Sequence, residues 1–236
     1  MKNIFSPDSL LIKALTLLCD LMYLNLLFLI CSLPIFTIGA STTALYAVLF
    51  KRIRGKDFKV GKTYFEEFKS NFKQATLFWI PYFLIISFLA ADVYISHNIL
   101  PENYRFLQYP VSIALFVILW ATVLVFPQMA LFKSPTRQII KNSAILGLVN
   151  FPIIGMVFVI HIFLFLIADL SAKCEMIVVS VLLFFGIAGL AWFFCIFYRR
   201  IFIKVMGEEF PDKNDSDKTE GLPEGENDPD DNLPII

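Results

Sequence analysis

The sequence predicts an all-α membrane protein: a bundle of about five transmembrane helices, with short interfacial amphipathic helices beside them. Three observations carry that expectation. Apolar residues make up 58 % of the 236 and charged residues only 17 %, with a mean hydropathy of +0.71, against about 45–50 % and 25 % in soluble domains. Residues 21–50 are a run of 30 without a charge, and about 20 apolar residues already cross a hydrocarbon core of about 30 Å. Lysine and arginine, finally, alternate in number from one connection to the next, as they do across membranes.

Residues 1–20 are expected to form a short lead containing Pro7 and Asp8, then a helical approach to the first span. Lys2 and Lys13 precede an apolar run, but no small-x-small site follows, so the segment is expected to be retained. The uncharged run holds breaks at Pro34 and Gly39. It reads as span one, 21–38, followed by a short helix along the inner surface. Ser41, Thr42 or Thr43 suits the N-cap of that helix, and Lys51, Arg52 and Arg54 suit its C-terminal end. In the basic connection that follows, Phe65, Phe68 and Phe72 recur at helical spacing opposite Glu67, Lys69, Asn71 and Lys73. That pattern predicts an interfacial helix with its rings in the acyl boundary, or else a helix packed on the protein's own spans. Spans two to five follow at 75–95, 106–132, 144–168 and 177–198. They are separated by the hinge 97–105, by the entry holding Lys133, Arg137 and Lys141, and by the link 169–176.

Sixteen of the 20 Lys and Arg fall in 51–74, in 133–143 and after residue 198; Lys2, Lys13, Arg105 and Lys173 fall on the other side. Cations collect in cytoplasmic loops, so the N-terminus is expected outside and the C-terminus in the cytoplasm. A re-entrant 38–50 would reverse the first of these. Residues 1–206 make up the transmembrane domain. Residues 207–236 hold eleven acids, two lysines and little apolar content. Such a segment cannot bury enough surface to fold and is expected as an acidic, disordered cytoplasmic tail, either a solvated brush or a dock for a basic partner.

The sequence holds no Walker loop, H-E-x-x-H or nucleophile elbow, and no carboxylate pair inside a span such as glycoside hydrolysis needs. Cys19, Cys31, Cys174 and Cys195 form no C-x-x-C, and with only His97 and His161 there is no zinc or haem spacing. No enzyme activity and no cofactor are expected, and the basic residues suit an anionic leaflet rather than nucleic acid. His161 is the one ionisable residue well inside a span. Asn150 and Asp169 lean to its side of span four, so the three form a candidate polar intramembrane site. The alternative is a histidine bonded to a neighbouring helix. Pro34, Pro81, Pro127 and Pro152 each lie four to eight residues from the cytoplasmic end of a span, about 6–12 Å deep. They form a candidate layer of helix breaks, although proline is ordinary in membrane helices.

The stretch from Asn25 to Tyr46, with Asn25, Ser32, Pro34, Gly39, Ser41 and Thr42 as its distinctive positions, resembles the opening signature of the YesL family. That family comprises small bacterial integral membrane proteins with no established biochemical activity. Arg54-Gly55, Asn71-Phe72-Lys73-Gln74-Ala75-Thr76 and Lys141-Asn142-Ser143-Ala144 fit it too, and the resemblance covers about residues 10–204. It implies a multi-pass helical protein of the bacterial plasma membrane, associated with carbohydrate uptake, and it supplies no catalytic residues. On it rests the expected function, a non-enzymatic accessory or assembly component of carbohydrate uptake. Its partners would be the lipid bilayer and either carbohydrate ABC transporter permease subunits or further copies of the chain. The competing expectation is a small oligomeric solute transporter or channel with a pathway near His161.

Overall fold

Pro34 turns the chain back on itself. Helix α1, Leu10–Ser32, ends just before it, a single 3₁₀ turn occupies Ile35–Thr37, and α2, Ile38–Ile53, returns beside α1. Proline brings no N–H and disfavours helix in the residue before it. Thr37 closes the turn, its Oγ1 lying 2.6 Å from the carbonyl oxygens of both Cys31 and Pro34. At the other end of the hairpin Arg52 meets Asp20 at 2.7 Å. A second reversal, through Gly55 at φ +72°, leads to α3, Val60–Asn98. This helix runs antiparallel to α2: Lys51 Nζ lies 3.1 Å from Glu67 Oε1, and Trp79 Nε1 donates to the Ile35 carbonyl at 2.7 Å.

The computed structural model describes residues 10–55, 58–99, 101, 103, 106 and 108–206. The acidic stretch 207–236, expected as a disordered tail, lies outside the described residues. After α3 come α4, Gln108–Thr122, α5, Val125–Leu131, α6, Thr136–Val149, and α7, Phe151–Asp169. The chain closes with α8, Ala172–Val181, a π-helical turn at Leu182–Gly186, and α9, Ile187–Met206. Five stretches are long and apolar enough to cross a membrane: Leu11–Ser32, Val60–Asn98, Gln108–Leu131, Phe151–Asp169 and Ala172–Lys204. Large apolar side chains such as Leu77, Phe88, Phe163 and Phe165 stand exposed along them, as lipid-facing residues do. The protein is an all-α, multi-pass membrane protein.

Several expectations change. The short helix after span one is not on the inner surface but at the centre of the bundle, with ten of its residues between Gly39 and Phe50 buried. It is apolar or small all round, which is the pattern of a helix covered on every side. At 16 residues it is about 24 Å long, too short to cross a bilayer core. Neither Thr42 nor Thr43 caps it. Their hydroxyls bond back to the carbonyls of Ile38 and Gly39 within the helix, Ser41 sits in its second turn, and Thr37 holds the cap position.

Span one runs over Leu11–Ser32 rather than 21–38, because Asp20 can sit inside the helix once Arg52 is beside it. The expected interfacial helix is no separate element but the first part of the 39-residue α3. Phe68 and Phe72 pack on the protein's own core while Phe65 is exposed, and the buried stripe is instead Tyr64, Glu67, Asn71, Ala75 and Phe78. Span four is not continuous over 144–168: Asn150, at φ −107° and ψ 38°, breaks it into α6 and α7. Span three likewise breaks between α4 and α5.

Parity changes as well. Asn25 of α1 lies against Leu182 and Leu183, while Lys13 shares a cleft with Arg199 and Arg200, so α1 and α9 are antiparallel. The start of α1 and the end of α9 therefore lie at the same end of the bundle, not at opposite ends as five alternating spans would leave them. The return of α2 supplies the extra reversal.

Candidate functional site

The distinctive residues of the opening motif are gathered around α2, and most do identifiable structural work. Asn25, fully buried on α1, donates its amide to the carbonyl oxygens of Leu182 and Leu183 at 3.2 and 2.6 Å, and accepts from the Ala188 N–H at 3.0 Å. A π turn displaces backbone groups from their i→i−4 partners, and in an apolar interior such groups must find others. One asparagine supplies two donors and an acceptor and so fixes α1 to the bend between α8 and α9.

Gly39 sits where α2 crosses α3. A Cβ there would stand 2.6 Å from Trp79 Cβ and 2.9 Å from the Ala75 carbonyl oxygen. Small residues permit such close helix contacts in membranes, and Ala40 and Ala75 beside it are fully buried. The Ser41 carbonyl receives the Tyr64 hydroxyl at 3.4 Å, while the side-chain oxygens of Ser32 and Ser41 are buried with no hydrogen-bond partner among the described residues.

The base of α2 is held by charge. Lys51 reaches Glu67 of α3, whose other oxygen takes the Asn71 amide at 3.2 Å. Arg52 reaches Asp20 of α1. Glu67 is buried and so needs these partners. Nothing in its sequence position showed this, because it lies on what the phenylalanine spacing marks as the polar face.

His161, Asn150 and Asp169 are not brought together by any hydrogen bond. Asn150 sits at the break and donates to the Leu146 carbonyl at 3.0 Å. His161 is exposed; its Nδ1 lies 2.7 Å from the Val157 carbonyl of its own helix, and its ring stacks on Phe194 at 5.5 Å. Asp169 ends α7, exposed. His161 does line an open, mostly apolar cavity of about 730 Å³ between α2, α7, α8 and α9, with Tyr46, Phe165, Glu175 and Tyr198 among its other walls.

The four prolines sit in different local settings. Pro34 lies in the hairpin turn, Pro127 near the start of α5 and Pro152 in the first turn of α7, where a missing N–H costs little; only Pro81 lies within a long helix. Pro34 and Pro81 are exposed and Pro127 is buried. Among the described residues no group of three or more His, Cys, Asp or Glu side chains could hold a metal ion.

The family model described as "Protein of unknown function, DUF624" matches residues 21–93, which is the second half of α1, all of α2 and most of α3. No curated protein and no solved structure matches the chain. The matched segment is the hairpin and crossing that enclose α2, and over it the chain is similar to the DUF624 family, in keeping with the YesL resemblance of its opening motif.

Proposed function

We propose that the protein is a non-enzymatic accessory or assembly component of bacterial carbohydrate uptake, working beside permease subunits of an ABC transporter in the plasma membrane. The association with sugar uptake comes from the family resemblance. The observation that favours an accessory over a conduit is the burial of α2. The middle of the bundle, where a solute path would run, is filled by Leu45, Val48, Leu49 and Phe50 and is braced at its base by two ion pairs. On this proposal both described ends of the chain face the cytoplasm, in place of the expected outside N-terminus. With Lys13 at the basic end, Lys173 is the one described cation at the other, which suits the distribution of cations across membranes.

The test is crosslinking in native membranes, followed by purification and identification of what comes with the protein. Recovery of carbohydrate permease subunits, and no sugar flux in vesicles holding the protein alone, is the expected outcome. Saturable flux in those vesicles overturns it. The observation favouring a solute carrier instead is the cavity beside His161, and flux that His161→Gln abolishes is the result that reading requires.

A further inference from the structure

We infer that the cleft between α1, α2 and α9 at the basic end of the bundle is a binding site for one anionic phospholipid, with its phosphate headgroup held by Lys13, Arg52, Arg199 and Arg200. The cleft has a volume of about 510 Å³. Three separate helices contribute its cations, and among the described residues no carboxylate lines it. Asp20 offsets part of the charge of Arg52, and Arg199 and Arg200 both line the cleft beside it. Arg200 is held in place by its own helix, the guanidinium carbon 5.8 Å from the centre of the Phe197 ring. Guanidinium groups match phosphate oxygens in geometry as well as in charge.

The rest of the lining selects a lipid over a soluble anion. Leu17, Trp192 and Ile196 give the same cleft an apolar part. Trp192 lies seven residues before Arg199 on α9, about 10 Å along the helix, and tryptophan is enriched at the level where headgroups give way to acyl chains. The faces on either side are exposed and apolar, with Leu15 and Leu18 on α1 and Phe193 on α9. Basic pockets between membrane helices bind anionic lipid headgroups. The acidic stretch 207–236 of the chain itself would match the charge, but it has little to place against the apolar lining.

The experiment uses the full-length protein in detergent micelles. Its thermal midpoint is measured with added phosphatidylglycerol, phosphatidylcholine, or inorganic phosphate. Phosphatidylglycerol is expected to raise the midpoint by several degrees, with little effect from the other two. The rise is expected to fall by more than half in the double variant Arg199→Gln/Arg200→Gln and to persist in Lys204→Gln, a cation on the same helix outside the cleft. Native mass spectrometry of the unaltered protein gives a second measurement that does not depend on the variants folding: one phosphatidylglycerol is expected to be retained in preference to phosphatidylcholine. Equal effects of the two lipids, equal retention, or an undiminished shift in the double variant overturns the assignment. So does a matching shift with inorganic phosphate, which would mean a free-anion site. A lipid effect that emerges only after deletion of residues 213–236 overturns it in favour of the chain's own acidic segment.

Discussion

Gly39→Ala adds one methyl group at the tightest point of the fold. The new Cβ would stand 2.6 Å from Trp79 Cβ, whereas ordinary contact begins near 3.4 Å, so α2 and α3 must part by about 0.8 Å. Neither obstacle can swing aside, because one is the first carbon of a side chain and the other the Ala75 backbone oxygen. Over-packing of this kind costs about 1–3 kcal/mol. Alanine returns about 0.5–1 kcal/mol through its better helix propensity, leaving a net loss of about 0–2.5 kcal/mol, whose middle is roughly a tenfold rise in the unfolded fraction. Gly155→Ala is the control: its nearest neighbour would be Trp120 at 3.9 Å, so only the propensity gain of about 0.5–1 kcal/mol applies. Equilibrium unfolding in mixed micelles, followed by tryptophan fluorescence, measures both. A Gly39→Ala protein as stable as Gly155→Ala refutes the close crossing of α2 and α3.

Asn25→Leu keeps the volume but strands the Leu182 and Leu183 carbonyls and the Ala188 N–H; the same unfolding measurement should show a loss of about 1–3 kcal/mol, and unchanged stability contradicts the clamp. Glu67→Gln should cost about 1–3 kcal/mol, at or below the lower end of the range for buried pairs because Lys51 is 21 % exposed. The double variant Lys51→Met/Glu67→Met should recover at least half of that, and a double variant no better than the single removes the ion-pair argument. In a background without native cysteines, Asn103→Cys should react with an impermeant reagent outside the cell, while Lys13→Cys and Ser70→Cys stay protected; labelling of Lys13→Cys together with Asn103→Cys rejects the same-end arrangement. His161→Gln should leave stability within about 0.5 kcal/mol, since the ring's hydrogen-bonding distance is to a carbonyl of its own helix; a larger loss points to a buried partner.

The sequence made the class and the principal break legible because both depend on local composition. The uncharged run 21–50 is longer than one span, and Pro34 marks where it turns. Where the next helix goes is not a local property. The composition of 38–50 suits a surface helix or a plug equally well, and pairings between distant positions, such as Asp20 with Arg52 and Lys51 with Glu67, decide between them. Phenylalanine spacing in 65–72 marked a face correctly as helical but chose the wrong stripe, since Tyr64, Glu67 and Asn71 are the residues turned inward. Glu67 reads as solvent-facing because its partner Lys51 lies on another helix. Asn25 is visible within the motif, but its partner is a π turn inside an unbroken apolar run, where every residue is apolar or glycine and periodicity carries no signal. The polar side drawn for His161, Asn150 and Asp169 assumes one straight helix, and Asn150 ends it.

The central position of α2 has a consequence for how the protein is made. A chain leaves the ribosome from its N-terminus, so α2 enters the membrane long before α9. Yet Tyr198 and Phe202 of α9 are the residues whose rings cover Tyr46 and Phe50, at 6.2 and 6.0 Å. Until they arrive, the newborn hairpin stands with one wall open to lipid, and a chain cut short before Tyr198 never closes it. That open aromatic flank is the mark by which a membrane chaperone or protease could distinguish an unfinished copy from a finished one.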